Sequence, residues 1–215
     1  MTLIPEFEPQ SPSTLRDRQR HDVRAAVIKA GIELFLENGF DETSVDDIAE
    51  KAGVSRRTVF RHFPSKDDIV IAWSSVASED LAAAVRQRDP AEPGLACLCS
   101  VLLEHVANNA DQLPSALAIA RLIAATPSLR ARSAEKYLLW EERLCAALLS
   151  RADPTPNAAR LAPVAAAIAV GVFRVAASAW VDGNGRQSLL DILREKYDAL
   201  AIIQQDVVSL TKPDP

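Results

Sequence analysis

The sequence predicts an all-α protein with an N-terminal three-helix, helix-turn-helix domain and a C-terminal helical bundle, about nine helices in all. Three observations predict this class. Apolar residues recur at helical spacing from residue 16 almost to the end of the chain. Only 7 of the 215 residues are glycine, and alanine and leucine dominate the second half, which favours helices over strands. No segment shows a convincing strand pattern.

The first predicted helix follows a short polar arm. Residues 1–15 are expected to be disordered because they are polar and carry prolines. A helix is expected over residues 16–38, where Val27 and Leu34 belong to an apolar face, and Gly39 ends it.

The next two helices form the predicted helix-turn-helix. Thr43 or Ser44 caps the second helix, and Gly53 permits the tight turn that follows it. Ser55 caps the third helix and Pro64 ends it. The predicted domains are therefore an arm at 1–15, a helix-turn-helix domain at 16–66, and a ligand-binding and dimerisation domain at 67–215.

The second domain is expected to contain about six further helices, the last over residues 189–210. Its helical pattern is interrupted at residues 89–93, 108–114, 125–127, 152–156 and 182–186.

Local positive charge indicates DNA as the partner of the third helix. The net charge is -5, so bulk charge does not attract nucleic acid. Residues 54–66, however, contain four cations and no acidic residue. Arg56 and Arg57 are the predicted base readers, because recognition helices place their N-terminal side chains on base edges. Phosphate contacts are expected at helix ends and flanks, and the full predicted DNA-binding set is Thr43, Ser44, Ser55, Arg56, Arg57, Thr58, Phe60, Arg61, His62 and Lys66.

These residues carry a resemblance to a known family. ELFLENGF at residues 33–40, TSVDDIAEKAGVS at 43–55 and TVFRHFPSK at 58–66 resemble the DNA-binding domain of the TetR family of bacterial transcriptional regulators. Phe60 departs from the pattern, because the family most often has a tyrosine there; it keeps only apolar contacts to sugar or a thymine methyl. The resemblance implies a homodimer that binds a near-palindromic operator, usually as a repressor, and responds to a small molecule in its C-terminal domain.

The second half resembles a C-terminal type of this family that is common in actinobacteria. The similar residues are ARLIAATPSLR at 120–130 and the pair Ala179 and Trp180. Some such relatives respond to acyl-thioesters or other hydrophobic acids. The resemblance therefore implies a small hydrophobic or amphipathic effector.

Aromatic side chains with a few polar groups are the usual lining of a ligand pocket. Three tryptophans lie on three different predicted helices, while Arg121 and His105 are polar residues of apolar helices. A buried arginine would bind a neighbouring glutamate or a ligand carboxylate or phosphate. Ordinary core packing is the alternative for each residue. The predicted pocket residues are Trp73, Leu102, His105, Leu117, Arg121, Trp140, Phe173 and Trp180.

Residues 161–180 are rich in alanine, and small side chains let helices approach closely. This composition suits either a dimer interface or core packing within the chain. With the resemblance, this helix and the last one are expected to form the homodimer, through Val170, Phe173, Val181, Leu193, Tyr197 and Leu200.

Several classes of protein are disfavoured. Hydrolase, metalloprotease and nucleotide-binding motifs are absent from the sequence, so we expect no enzyme, no cofactor and no metal. Three cysteines, an odd number, favour the reducing cytoplasm. The longest apolar stretch, residues 161–173, is shorter than the roughly 20 residues that span a membrane, so no membrane partner is expected. Two alternatives stay open: a DNA-binding protein controlled by a protein partner, and an enzyme with a helix-turn-helix appendage.

Overall fold

The computed structural model describes the backbone of residues 15–151 and 155–211, and their side chains except at 15–16, 74–76 and 205–211. The described residues form nine α-helices and one short 3-10 helix, without a strand. The predicted all-α class is confirmed. The predicted arm falls on residues 1–14, which lie outside the described residues, and on Leu15, where the first helix begins.

The helix boundaries lie at or within about three residues of the interruptions that the sequence predicts, because proline, glycine and capping residues stand near those points. The helices are α1 Leu15–Asn38, α2 Val45–Lys51, α3 Arg56–His62, α4 Lys66–Arg86, α5 Gly94–Asn108, α6 Leu113–Ala125, α7 Pro127–Leu149, α8 Pro156–Asp182 and α9 Leu189–Thr211, with the 3-10 helix Ala110–Gln112 before α6.

The described chain divides into two compact units. Unit 1 contains residues 15–76 and 111–136, and unit 2 contains the remaining described residues. Unit 1 therefore includes α6 and the first part of α7 in addition to residues 16–66. The division into functional domains at 16–66 and 67–215 stays a prediction, because compactness does not identify the residues that bind DNA or ligand.

A single hydrophobic core holds unit 1 together. Gly31 brings α1 close to α4 inside this core, since a Cβ atom at that position would lie 2.8 Å from Cγ2 of Ile69. Burying each large apolar side chain stabilises the fold by about 1.5–3 kcal/mol. The fully buried members come from α1, α2, α4, α6, α7 and the α3 region: Val27, Ile28, Ile32, Phe35, Ile48, Val59, Phe63, Ile69, Val70, Ile119 and Leu129.

Unit 2 is packed around α8, which contacts α5 and α9 most extensively. Small side chains on α8 allow the two neighbouring helices to approach closely. Packing within the chain therefore accounts for much of the alanine-rich composition. The buried residues of α8 are Ala162, Ala165, Ala166, Ala169, Val170, Phe173, Ala176 and Trp180.

Among the described residues, α8 is also the one helix long and apolar enough to cross a membrane, with 27 residues in all and a mean hydropathy of 1.9 over an 18-residue window. The helix begins before the apolar stretch at 161–173 and ends after it. Pro163 lies inside the helix and does not end it. Length and composition are weak evidence here, because the core helix of a soluble protein passes the same test.

Candidate nucleic-acid interface

Local hydrogen bonds fix both helices of the helix-turn-helix. Ser44 and Asp47 form a capping box at the start of α2: the Asp47 N–H donates to Ser44 Oγ at 3.1 Å, and the Ser44 N–H donates to Asp47 Oδ2 at 2.9 Å. Gly53 has a φ of 67°, in the left-handed region, and permits the tight turn. Ser55 caps α3, because its Oγ accepts a hydrogen bond from the Thr58 N–H at 3.1 Å.

The third helix has one buried and one exposed face. Val59 and Phe63 are each 1% exposed and hold α3 against the core of unit 1. The opposite face carries three exposed arginines and an aromatic ring that is 41% exposed, and α3 contains no acidic residue. A short cationic helix of this kind can enter the major groove of DNA, which is about 12 Å wide. The exposed residues of this face are Arg56, Arg57, Phe60 and Arg61.

Arg56 contacts one residue of α2 and one of its own helix. Its Nη1 donates to Oδ2 of Asp46 at 2.6 Å, which is a short, charge-assisted hydrogen bond. Its Cζ lies 5.4 Å from the centroid of the Phe60 ring, within the range of a cation–π interaction. The guanidinium of Arg56 is thus held by two side chains.

The hydroxyl groups predicted to bind phosphate already take part in helix caps. Ser44 Oγ donates to Asp47 Oδ2 at 2.6 Å, and Ser55 Oγ lies 2.9 Å from Thr58 Oγ1. Ser44 and Ser55 are exposed and Thr58 is half-buried. Phosphate contacts from these three residues stay predictions, and each contact would compete with a cap.

The side chains of Thr43 and Lys66 donate hydrogen bonds to backbone carbonyl groups in and near the connection between α1 and α2. Thr43 is 1% exposed, and its hydroxyl lies 2.8 Å from the carbonyl oxygen of Gly39 and 3.2 Å from that of Leu34. The Lys66 ammonium donates to the carbonyl oxygens of Phe40 at 2.7 Å and of Thr43 at 2.9 Å. Because these polar groups are engaged inside unit 1, we withdraw the predicted phosphate contacts of both residues.

Sequence patterns missed a group of arginines beside His62. The Nε2 atom of His62 is buried and has no hydrogen-bond partner within the described part of the chain. Burial, followed by the charges of Arg61, Arg20 and Arg24, lowers the pKa of His62. The Arg24 Cζ lies 4.6 Å from the centroid of the Phe63 ring. The signal in the sequence was the spacing of Arg20 and Arg24, four residues apart and therefore on one face of α1.

Two family models match the chain. The model described as bacterial regulatory proteins, tetR family, matches residues 27–73, which contain the helix-turn-helix. The model described as the MftR C-terminal domain matches residues 92–204, more than half of the chain. The chain belongs to the TetR family. The resemblance at residues 33–66 is confirmed, and the chain contains the DNA-binding helix-turn-helix of this family.

Two curated relatives of this TetR-family regulator come from actinobacteria, which confirms the actinobacterial type. The HTH-type transcriptional regulator TcmR of Streptomyces glaucescens is 32% identical over 149 residues, 66% of each chain. The putative mycofactocin biosynthesis transcriptional regulator MftR of Mycobacterium tuberculosis is 28% identical over 134 residues, 58% of this chain and 63% of its own. The chain thus matches just under two thirds of each relative's length. Both relatives are named as regulators and not as enzymes.

A solved structure shares the fold of the regulator. The transcriptional regulator FadR from Bacillus subtilis, in complex with stearoyl-CoA, superposes with a TM-score of 0.55 at 19% sequence identity. The match covers 82% of this chain and 96% of the FadR chain. At this identity the comparison supports the arrangement of helices.

The predicted pocket residues of the regulator divide between the two units. Trp73, Leu117 and Arg121 belong to unit 1, and the other five belong to unit 2. Arg121 is exposed, so the prediction of a buried arginine is wrong. In unit 2, Trp140 and Phe173 are buried with ring centroids 5.3 Å apart.

The other predicted pocket residues of unit 2 have different environments. Leu102 is fully buried. Burial lowers the pKa of His105, and the nearby charge of Asp80 acts in the opposite direction. No group of three or more His, Cys, Asp or Glu side chains in the described ranges could hold a metal ion. Trp180 lines an open groove of about 260 Å³ together with Ala179, Gly183, Arg186, Gln187, Ile192, Glu195 and Lys196.

Three of the predicted dimer residues are buried in the interior of unit 2. Val170 and Leu193 are fully buried there and Phe173 nearly so, so they present no surface to a second chain and we withdraw them from the interface. The prediction failed because α8 is apolar on more than one face. Three others are half-buried, namely Val181, Tyr197 and Leu200. The large apolar side chains that α8 and α9 expose are Leu161, Val164, Val175, Ile202 and Ile203.

Proposed function

We propose that this regulator is a repressor that binds a near-palindromic operator as a homodimer and releases it when a small hydrophobic effector binds. The main observation in support is the exposed cationic face of α3. The core of unit 1 holds α2 and α3 together beneath that face. The membership of the TetR family supports it, since two-fold symmetric regulators of this kind place one recognition helix in each half-site.

The DNA contacts divide into base recognition and phosphate binding. Arg56 and Arg57 stand at the N-terminal end of α3, and arginine pairs with guanine through two hydrogen bonds in the major groove. Phe60 supplies an apolar contact to a thymine methyl or a sugar. The cations around the C-terminal end of α3 bind backbone phosphates, and these are Arg20, Arg24 and Arg61.

The homodimer forms through the exposed apolar side chains of α8 and α9. Leu161, Val164 and Val175 are about half exposed and share one face of α8, because their spacing matches the helical repeat. Burying such a stripe against its two-fold copy is favourable by about 25 cal/mol per Å² of apolar surface. A two-fold symmetric operator requires the two recognition helices of such a dimer to lie about 34–36 Å apart, one turn of DNA.

The effector is an amphipathic molecule with an apolar chain, such as an acyl-thioester. Two observations support this class: the FadR structure is a complex with stearoyl-CoA, and unit 2 contains large buried apolar side chains as well as a half-buried titratable group, His105. The proposed lining in unit 2 is Leu102, His105, Trp140, Phe173 and Trp180. Such a ligand releases DNA only if it binds one conformation of the dimer more tightly than the other.

The first test is selection of DNA by the full-length protein. Wild-type protein is incubated with a library of randomised 30-base-pair duplexes, and retained duplexes are sequenced. We expect a near-palindromic motif and, by light scattering, a mass of two chains. Absence of any enriched motif would refute the DNA-binding proposal. A monomer in solution would refute the dimer and favour control by a protein partner at the α8 stripe.

The second test addresses the effector. Stearoyl-CoA is added to the complex with the selected duplex, with coenzyme A alone as the control. We expect stearoyl-CoA to raise Tm by mass action and to release the DNA, whereas coenzyme A does neither. Equal behaviour of the two additives would refute an acyl effector.

Two further assignments follow from the proposal. The chain is a regulator without enzymatic activity, which the names of its relatives support. It acts in the cytoplasm, because its target is the bacterial chromosome. Hydrolysis of stearoyl-CoA by the purified protein would contradict the first assignment.

A further inference from the structure

The contact between Asp46 and Arg56 joins the two helices of the DNA-binding motif. Asp46 lies in the first turn of α2 and Arg56 is the first residue of α3. Their oxygen and nitrogen atoms are 2.6 Å apart, although both side chains are about 60% exposed. The Phe60 ring, one helical turn after Arg56, bounds the same guanidinium at 5.4 Å.

This contact contributes little to folding, because exposed ion pairs are screened by water and salt. Its effect on the Arg56 side chain is larger. An arginine has many rotamers, and an arginine that binds a base must give up most of them on binding. A carboxylate on one side and an aromatic ring on the other restrict those rotamers before DNA arrives.

The guanidinium keeps donors for a base while it contacts the carboxylate. It has five N–H groups, and the bond to Asp46 uses Nη1. Guanine offers O6 and N7 as acceptors in the major groove, and an arginine fills both with two donors. Arg56 can therefore keep its hydrogen bond to Asp46 while it recognises guanine.

We propose that Asp46 is a positioning residue that orients Arg56 for base recognition in the operator. This inference rests on the proposed DNA-binding function. Asp46 does not contact the base; it acts through Arg56. The opposite role for Asp46 is that of a competitor, which holds Arg56 away from DNA and repels phosphates.

The two roles predict different results for Asp46→Asn. Removal of a negative charge near DNA strengthens binding to every sequence, so affinity alone cannot distinguish them. Loss of positioning, in contrast, reduces the preference for the correct base at the position that Arg56 reads. The decisive quantity is the ratio of Kd values for the selected duplex and for its single-base variants.

The experiment uses the full-length protein and the duplex that the wild type selects from the randomised library. Kd is measured by fluorescence anisotropy for wild type, Asp46→Asn, Arg56→Ala and the double variant. We expect Asp46→Asn to reduce discrimination at one base pair of each half-site by about 2- to 10-fold. In the Arg56→Ala background the same change should leave discrimination unaltered, because the group that Asp46 orients is gone.

Two control variants separate positioning from charge. Glu42→Gln removes an exposed carboxylate just before α2 and should strengthen binding to all duplexes alike, without loss of discrimination. Asp46→Glu keeps the carboxylate and should retain most of the discrimination. Unchanged or increased discrimination by Asp46→Asn would overturn the proposal, and so would an equal loss in the Arg56→Ala background. If the wild type selected no sequence at all, the proposed function itself would fail, which is a distinct result.

Discussion

The arginines on α1 allow a quantitative prediction about DNA binding. Arg20 is exposed and lies close enough to His62 at the end of α3 for its charge to lower the pKa of that histidine. We expect Arg20→Gln to remove one phosphate contact from each subunit. Each contact contributes about 0.9 to the slope of log K against log salt concentration, so the proposed dimer loses about 1.8. When salt is raised from about 0.05 M to about 0.2 M, the Kd of the variant for DNA should then increase roughly 12-fold less than the Kd of the wild type.

The matched control is Arg18→Gln, which removes the same charge from the same helix. Arg18 is also exposed, but two helical positions place it about 200° around α1 from Arg20. Anisotropy titrations at several salt concentrations should give the wild-type slope for Arg18→Gln and a smaller slope for Arg20→Gln. The loss in Arg20→Gln should be the same for all duplex sequences. Equal slopes for the two variants would refute the assignment of α1 to the DNA interface.

Three other predictions concern stability, each measured by urea unfolding. Gly31→Val should lower the free energy of unfolding by about 1–3 kcal/mol, because the new Cβ would lie 2.8 Å from the buried Ile69; an unchanged midpoint would contradict the close approach. Lys66→Met should cost about 1–2 kcal/mol through the lost hydrogen bonds to the carbonyl oxygens of Phe40 and Thr43, and should leave the salt slope of DNA binding unchanged. The half-buried His105, with its lowered pKa, binds fewer protons than in the unfolded chain, so the free energy of unfolding should fall as pH drops below about 6.5. His105→Gln should reduce that fall. If the free energy of unfolding depended on pH identically in the variant and the wild type, His105 would not be its cause.

The local parts of the fold could be predicted from the sequence. The caps at Ser44 and Ser55 and the turn at Gly53 depend on residues within a few positions of one another, and the structure contains all three. The alternation of buried and exposed positions on α3 follows from one short helical period. Arg56 and Arg57 are therefore exposed where the sequence places them.

The errors concern partners that are distant along the chain. The sequence around Lys66 predicts a surface cation, but its ammonium donates to carbonyl groups more than 20 residues earlier. On α8, alanine and valine occupy several faces, so periodicity alone cannot say which face meets α5 and α9. The prediction that Val170 faces a second chain is wrong for this reason, because Val170 is fully buried. The arginines of α1 were missed because only the fold brings them beside His62.

The composition of unit 1 has a consequence for how the chain matures. Ile119 of α6 and Leu129 of α7 complete the core that supports the helix-turn-helix, but they are separated from residues 15–76 by the segment 77–110. A nascent chain that has just emerged as far as residue 76 therefore lacks part of its own interior. Contacts of this sequence separation close a large loop and slow folding. The core beneath the helix-turn-helix is thus completed only after the ribosome has synthesised the chain as far as Leu129 of α7.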